Sequence, residues 1–152
     1  VAGGTGIASV YELAARLAAR AKPEAVHVLL GAKTAADLMA EDDFTALGVR
    51  LSVATEDGSR GETGLVTALL DAALADGPAH VFACGPTPMM RRAAEIAAAH
   101  DAPCSVSLEN PMACGFGVCL GCAAPLAEGG FALVCRDGPV FDARDVRWEG
   151  LP

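Results

Sequence analysis

Apolar positions recur in this chain at two alternating rhythms. From Ala8 to Ala21, Val10, Leu13, Ala14, Leu17, Ala18 and Ala21 fall on one face of a helix, with Glu12, Arg16 and Arg20 opposite. Pro23 ends that helix, and the run Val26 to Leu30 has the length and branching of a buried strand closed by Gly31. The pattern then predicts a short helical patch over Thr34 to Met39, with Thr34 as its N-cap, and a strand over Val49 to Ala54. A polar loop follows from Glu56 to Thr63, then a helix from Leu65 to Ala75. The run His80 to Cys84 reads as a strand that empties into Cys84-Gly85-Pro86-Thr87-Pro88, with helical spacing from Met89 to His100 and another strand over Cys104 to Leu108. The paired acids Asp42 and Asp43 read as a solvated turn.

Strands alternating with helices in this way imply βαβ crossovers and a doubly wound parallel sheet buried on both faces, an α/β fold. Beyond Glu109 the helical rhythm stops. Glycines cluster at 115, 117, 121, 129 and 130, and apolar stretches shorten to Phe131 to Val134 and Pro139 to Phe141. The reading is therefore two units: 1–108, an α/β nucleotide-binding domain, and 109–152, a small appendage.

Composition narrows the function. With 53% apolar and 20% charged residues the chain has the means to build a core rather than remain disordered. A formal net charge of -8 would repel a nucleic-acid backbone or an anionic lipid surface, and no apolar run is long enough to span a bilayer. Four of the six cysteines lie between Cys114 and Cys135, a crowding that suits thiolate ligands in a reducing compartment, so a cytoplasmic setting is expected. Because the chain opens at Val1, which is not an initiator methionine, directly on a glycine turn, it reads as a fragment whose upstream part is missing.

The chemistry concentrates in two places. Cys114-x4-Cys119-x2-Cys122, followed by Cys135, has the plant-type spacing that holds a [2Fe-2S] cluster. The intervening glycines let the backbone approach the sulfurs, while Phe116, Val118 and Leu120 are expected to shield the cluster from water. Structural zinc is the competing reading, although its frameworks usually pair two short Cys-x2-Cys knuckles and only Cys119 and Cys122 form one here; a pair of disulfides is the third. Cys84 and Cys104, outside that set, read as buried small hydrophobes.

The second place is Gly3-Gly4-Thr5-Gly6-Ile7-Ala8, just ahead of the first helix, where a pyrophosphate would meet backbone N–H groups and the positive end of the helix dipole. With the polar loop at 55–63 and the turn at 84–88, it would gather at the carboxyl edge of the sheet. The acidic residue that usually reads the ribose is not apparent in Leu30-Gly31-Ala32-Lys33. Lys33 or Arg60 would suit a 2′-phosphate, and Glu56 and Asp57 would oppose one.

Taken together, Gly3-Gly4-Thr5-Gly6-Ile7-Ala8, Cys84-Gly85-Pro86-Thr87-Pro88-Met89-Met90, Ser107-Leu108-Glu109-Asn110, Met112 through Cys122 and Val134-Cys135-Arg136-Asp137-Gly138-Pro139-Val140-Phe141 resemble the electron transfer subunits of dihydroorotate dehydrogenase B. The resemblance implies a ferredoxin reductase-like NAD-binding domain followed by a [2Fe-2S] appendage, with the N-terminal FAD barrel of that family absent, the first strand truncated to Val1 and Ala2, and the sheet centre therefore expected to be weakened or open. It implies that Cys114, Cys119, Cys122 and Cys135 hold the cluster, that Gly4, Thr5 and Gly6 face the NAD pyrophosphate, and that Cys84, Gly85 and Pro86 lie beside the nicotinamide and flavin rings. The implied partner is an FMN-containing catalytic subunit, expected in a heterotetramer, whose electrons would pass through the cluster and FAD to NAD in pyrimidine biosynthesis. This fragment alone is expected to be inactive and to have little affinity for flavin. Related subunits of sulfide dehydrogenases, hydrogenases and ferredoxin-NADP oxidoreductases share the module, and a zinc-stabilised interaction module is the alternative of another class.

Overall fold

A computed structural model describes residues 1–152. The chain runs β1 (Ala2–Gly3), α1 (Gly6–Arg20), β2 (His27–Ala32), α2 (Glu41–Ala46), β3 (Arg50–Thr55), β4 (Glu62–Thr63), α3 (Val66–Ala75), β5 (Val81–Cys84), α4 (Thr87–Ala99), β6 (Cys104–Ser107), β7 (Ala123–Pro125), β8 (Phe131–Leu133), α5 (Val134–Asp137) and β9 (Val140–Asp142). Seven strands form one sheet in the order β4-β3-β2-β1-β5-β6-β9, parallel except at β9, which runs antiparallel to β6. β7 and β8 make a separate antiparallel pair.

The sheet is covered on both faces, as its continuous apolar strands require. On one side α1 and α2 bury Ile7, Val10, Ala14 and Phe44 against Ala2, Val28, Leu30 and Cys84. On the other, α3 and α4 bury Leu70, Leu74, Met90, Ala93 and Ile96 against Leu29, Val81, Ala83 and Val106. Cys122, Ala124, Leu133, Val134, Ala143 and Val146 of the C-terminal segment join that second core without a break. No helix is long and apolar enough to cross a membrane.

Two local expectations differ from the structure. Thr34 does cap a turn, by a reciprocal pair of bonds with Asp37, but the turn is a 3-10 helix over Ala35–Asp37. The acids 42 and 43 lie inside α2, not in a turn. A helix there is favoured because Glu41, Asp42 and Asp43 occupy its first turn, where the dipole accepts negative charge, and Phe44 anchors it in the core at 0% exposure.

Strand order reverses across β1, with β2 on one side and β5 on the other, which opens a crevice at their carboxyl ends. At the opposite end, β1 is too short to separate its neighbours. A groove of about 550 Å³ runs between β2 and β5 there, lined by Leu13, Leu17, Leu70 and Leu74 among others. The Val1 nitrogen lies at its head and donates to the Phe82 carbonyl at 2.7 Å.

Candidate functional site

At the carboxyl edge, β1 turns into α1 through Gly4 and Thr5. Gly4 has a φ of +55°, a left-handed turn that a side chain resists. Gly6 brings the helix against the end of β5, so close that a Cβ there would lie 2.4 Å from the Cys84 carbonyl carbon and oxygen. No side chain caps the start of α1 and no acidic residue occupies its first turn, a setting that favours an anion, although the Ile7 and Ala8 N–H groups already bond the Gly4 and Thr5 carbonyls at 3.2 Å.

The turn forms one wall of a cleft of about 470 Å³, lined also by Gly31, Lys33, Asp37, Glu56, Leu65, Pro86, Met89 and Arg92. Gly4 and Pro86 of the expected nucleotide residues therefore line one space. Thr5 and Cys84 meet elsewhere, at Glu109. The Thr5 hydroxyl donates to one Glu109 carboxylate oxygen at 3.2 Å, and the Cys84 thiol donates to the other at 3.9 Å. Burial raises the Cys84 thiol above its ordinary pKa, so it stays neutral beside the turn. Gly85 packs so tightly that a Cβ would sit 2.8 Å from the Gly3 carbonyl oxygen.

Of the charged residues weighed for the ribose, Lys33 and Glu56 line the cleft, whereas Arg60 is held in a fork by Glu41 and Asp57 is bonded to Ser59. Asp37, Arg92 and Glu109 were not anticipated. Asp37 lies in the 3-10 turn after β2 and Arg92 within α4, neither in a motif, and Glu109, though inside the Ser107–Asn110 block, is given its place by hydrogen bonds to Thr5 and Cys84.

Three of the four cysteines of the C-terminal segment, Cys114, Cys119 and Cys122, lie on a loop bent by Gly115 and Gly117, with φ of +73° and +88°, and Cys135 lies in α5. Its backbone N–H groups turn inward toward sulfur. The N–H of Cys119 approaches Cys114 Sγ at 3.5 Å and that of Gly121 approaches Cys119 Sγ at 3.4 Å. Donation from Cys119, then Phe116 and Val118, draws the Cys114 thiol down to about 6. The N–H of Cys135 leads in lowering the Cys122 thiol, and the hydrogen bond between these two side chains raises Cys135, toward which Gly117 N–H also points. The sulfurs thus meet as two pairs, Cys114 with Cys119 and Cys122 with Cys135.

No three His, Cys, Asp or Glu side chains converge as a single ion would require. That arrangement suits a binuclear cluster better than one zinc, because two metals divide four ligands into pairs, and the inward N–H groups match the hydrogen bonding that cluster sulfurs take. None of the six cysteines is in a disulfide. Phe116, Val118 and Leu120 do not cover the loop: they are 70%, 71% and 62% exposed, because the tight turns that bring N–H groups inward send these side chains out.

Comparison with known proteins follows the same division. A family model described as an oxidoreductase NAD-binding domain matches residues 1–95, and one described as the iron-sulfur cluster binding domain of dihydroorotate dehydrogenase B matches residues 109–147. A Methanopyrus kandleri protein named "Probable dihydroorotate dehydrogenase B (NAD(+)), electron transfer subunit" is 47% identical over 144 residues, 93% of this chain and 52% of the relative. The dihydroorotate dehydrogenase B (NAD(+)) electron transfer subunit of Caldanaerobacter subterraneus is 41% identical over 149 residues, 96% of this chain and 57% of the relative. A solved chain of an NADH-dependent reduced ferredoxin-NADP oxidoreductase superposes with a TM-score of 0.82 at 32% identity, covering 99% of this chain and 53% of that one. The chain spans about half the length of the relatives it matches.

Proposed function

From the premise that the chain belongs to the oxidoreductase NAD-binding domain family and carries an iron-sulfur cluster binding domain of the dihydroorotate dehydrogenase B type, we propose that it is the NAD- and cluster-bearing part of the electron transfer subunit of an NAD-linked dihydroorotate dehydrogenase. In this reading residues 1–108 form the NAD-binding unit and 109–152 the cluster unit. Cys114 and Cys119 hold one iron of a [2Fe-2S] cluster, and Cys122 and Cys135 hold the other. The observation that carries this is the backbone N–H directed at each of the four sulfurs. When bound, an iron-sulfur cluster carries one electron at a time whereas NAD takes a hydride, so a flavin, here the FAD of the longer polypeptide, must stand between them.

The residues of this chain bind and position. Gly4, Thr5 and Gly6 offer the N–H groups at the head of α1 to the pyrophosphate of NAD. Glu109 fixes the Thr5 hydroxyl and the Cys84 thiol together at the sheet edge, and the neutral Cys84 with Gly85 and Pro86 forms an uncharged wall beside the nicotinamide and flavin rings. Electrons enter from the FMN of a catalytic subunit, in a cytoplasmic heterotetramer. The exposed Phe116, Val118 and Leu120 around the cluster loop supply an apolar surface for that partner.

The test is reconstitution of the chain with ferrous iron and sulfide under anaerobic conditions. About two irons per chain with visible charge-transfer absorption are expected; a colourless protein that retains zinc instead would overturn the reading. The likeness to the ferredoxin-NADP oxidoreductase favours a second reading, in which the same module serves a ferredoxin-linked enzyme. Dihydroorotate-dependent NAD reduction by the longer polypeptide with an FMN-bearing subunit supports the first, and reduction from ferredoxin alone supports the second.

A further inference from the structure

Phe116, Val118 and Leu120 turn away from the cysteine loop, and what lies against it is an arginine. Gly117 has no side chain, and a Cβ built there would sit 3.3 Å from Cδ and 3.7 Å from Cβ of Arg136, and 3.6 Å from Cδ1 of Leu133. The aliphatic stem of Arg136 therefore rests on the Gly117 turn, whose N–H points at the Cys135 sulfur. We propose that Arg136 tunes the cluster: its positive charge, seated on the Gly117 turn beside Cys135, favours the reduced state, and Asp137 fixes it there while offsetting part of its field. This rests on the [2Fe-2S] reading given above.

The first support is the distribution of charge. No Asp, Glu, Lys, Arg or His occurs from Asn110 to Ala127, so the loop brings no ionic side chain of its own to the sulfurs. Glu109, just ahead of it, is engaged by Thr5 and Cys84. Glu128 lies in the turn of the β7–β8 hairpin, beyond the Pro125–Phe131 pair and so at the end away from Ala123 and Leu133. Arg136 and Asp137, by contrast, directly follow a ligand, and the arginine packs on the loop itself.

The second support is that this arginine is held in place. An exposed arginine ordinarily samples many rotamers, and ordering it costs entropy. Here the stem is seated at Gly117 and the head is bound by a carboxylate: Nε donates to Asp137 Oδ1 at 3.0 Å and Nη2 to Oδ2 at 3.4 Å. Asp137 Oδ2 also accepts the N–H of Leu133 at 2.8 Å, and Leu133 is a buried residue of β8. The ion pair is thus tied to the backbone of the hairpin. The hydrogen bond to Asp137 raises the Arg136 pKa above its ordinary value, and attraction to Cys135 adds to it.

The third support is the sign of the effect. One-electron reduction adds negative charge to a site already made anionic by four thiolates, and local charge is one of the levers on the potential of such a cluster. A fixed cation beside Cys135 lowers the energy of the reduced form more than that of the oxidised form, and a fixed anion does the reverse. The Arg136 side chain is 62% exposed, so water and salt limit the effect to a few-fold change in the reduced-to-oxidised ratio.

The experiment compares the anaerobically reconstituted chain with Arg136→Gln, Arg136→Lys and Asp137→Asn by potentiometric titration, counting the reduced cluster by its EPR signal. At the midpoint of the parent and low salt, Arg136→Gln should lower the reduced-to-oxidised ratio about threefold, Arg136→Lys should keep it within about 1.5-fold, and Asp137→Asn should raise it. In about 1 M salt the shifts should shrink toward zero. Opposite signs at adjacent positions, both weakened by salt, are what charge produces and lost packing does not. If Arg136→Gln takes up no iron, Asp137→Asn decides: a raised ratio that salt removes supports the proposal, and an unmoved one overturns it. Coincident midpoints among the variants that hold iron, or shifts that persist in about 1 M salt, overturn it and leave the cluster reading intact. A parent chain that takes up no iron overturns both.

Discussion

Replacing Cys122 by Ser is expected to strip the reconstituted chain of its visible absorption and to lower its iron content more than about tenfold, with NADH binding retained. The thiolate is the ligand, and a serine hydroxyl at neutral pH stays protonated. The fold should survive because the position of residue 122 is set by its backbone: the Cys122 carbonyl accepts Val134 N–H at 3.2 Å, and its neighbour Ala123 pairs with Leu133. Cys104→Ser is the control, at a buried thiol on β6 whose pKa is pushed up to about 11 by its surroundings. That variant should lose some stability and no iron. Iron retained in Cys122→Ser and lost in Cys104→Ser would place the cluster elsewhere.

The second large effect is at Gly6. An alanine Cβ there would meet the backbone of Cys84 at 2.4 Å and the nitrogen of Gly85 at 2.6 Å, and neither is the flexible end of a side chain. Helix α1 must back away from β5, which costs about 1–3 kcal/mol or more, as overpacking does. The displacement also moves the N–H groups of the proposed pyrophosphate site, so the dissociation constant for NADH should rise more than tenfold on top of the lost stability, a factor equal to about 1.4 kcal/mol. Gly4→Ala makes the contrast: its φ of +55° strains a side chain, but nothing lies within 4 Å of the added carbon. Its cost should be about 1–2 kcal/mol, the left-handed penalty alone. Thermal melts and fluorescence titrations with NADH rank the two, and a Gly6→Ala protein that melts and binds like the parent would disprove the close contact.

The strands and long helices were legible because each repeats its period several times. α1 shows its apolar face over more than three turns, β2 carries the apolar run Val28-Leu29-Leu30, and β3 alternates Leu51 and Val53 with polar residues. α2 was not legible: at six residues it offers one buried side chain, Phe44, and no period at all. Nor could local sequence reveal that Val140–Asp142 joins the main sheet, since its pairing with β6 is made across more than thirty residues. At the cysteine loop, the spacing picked out four candidate ligands, while the outward turn of Phe116 and Val118 depends on glycine dihedrals that the spacing does not encode. Arg60 illustrates the converse. It suited a phosphate by charge, and Glu41 of the unforeseen helix had already engaged it.

The return of β9 to the edge of β6 settles how the two ends of the molecule can communicate. A tail stitched into the sheet by backbone bonds, with Ala143 N–H further tied to Cys104 C=O at 2.9 Å, is no swinging arm. Any traffic between its loop and the crevice must run over a separation fixed once, at folding, and a graft of this tail onto another scaffold would have to bring the border strand along with it.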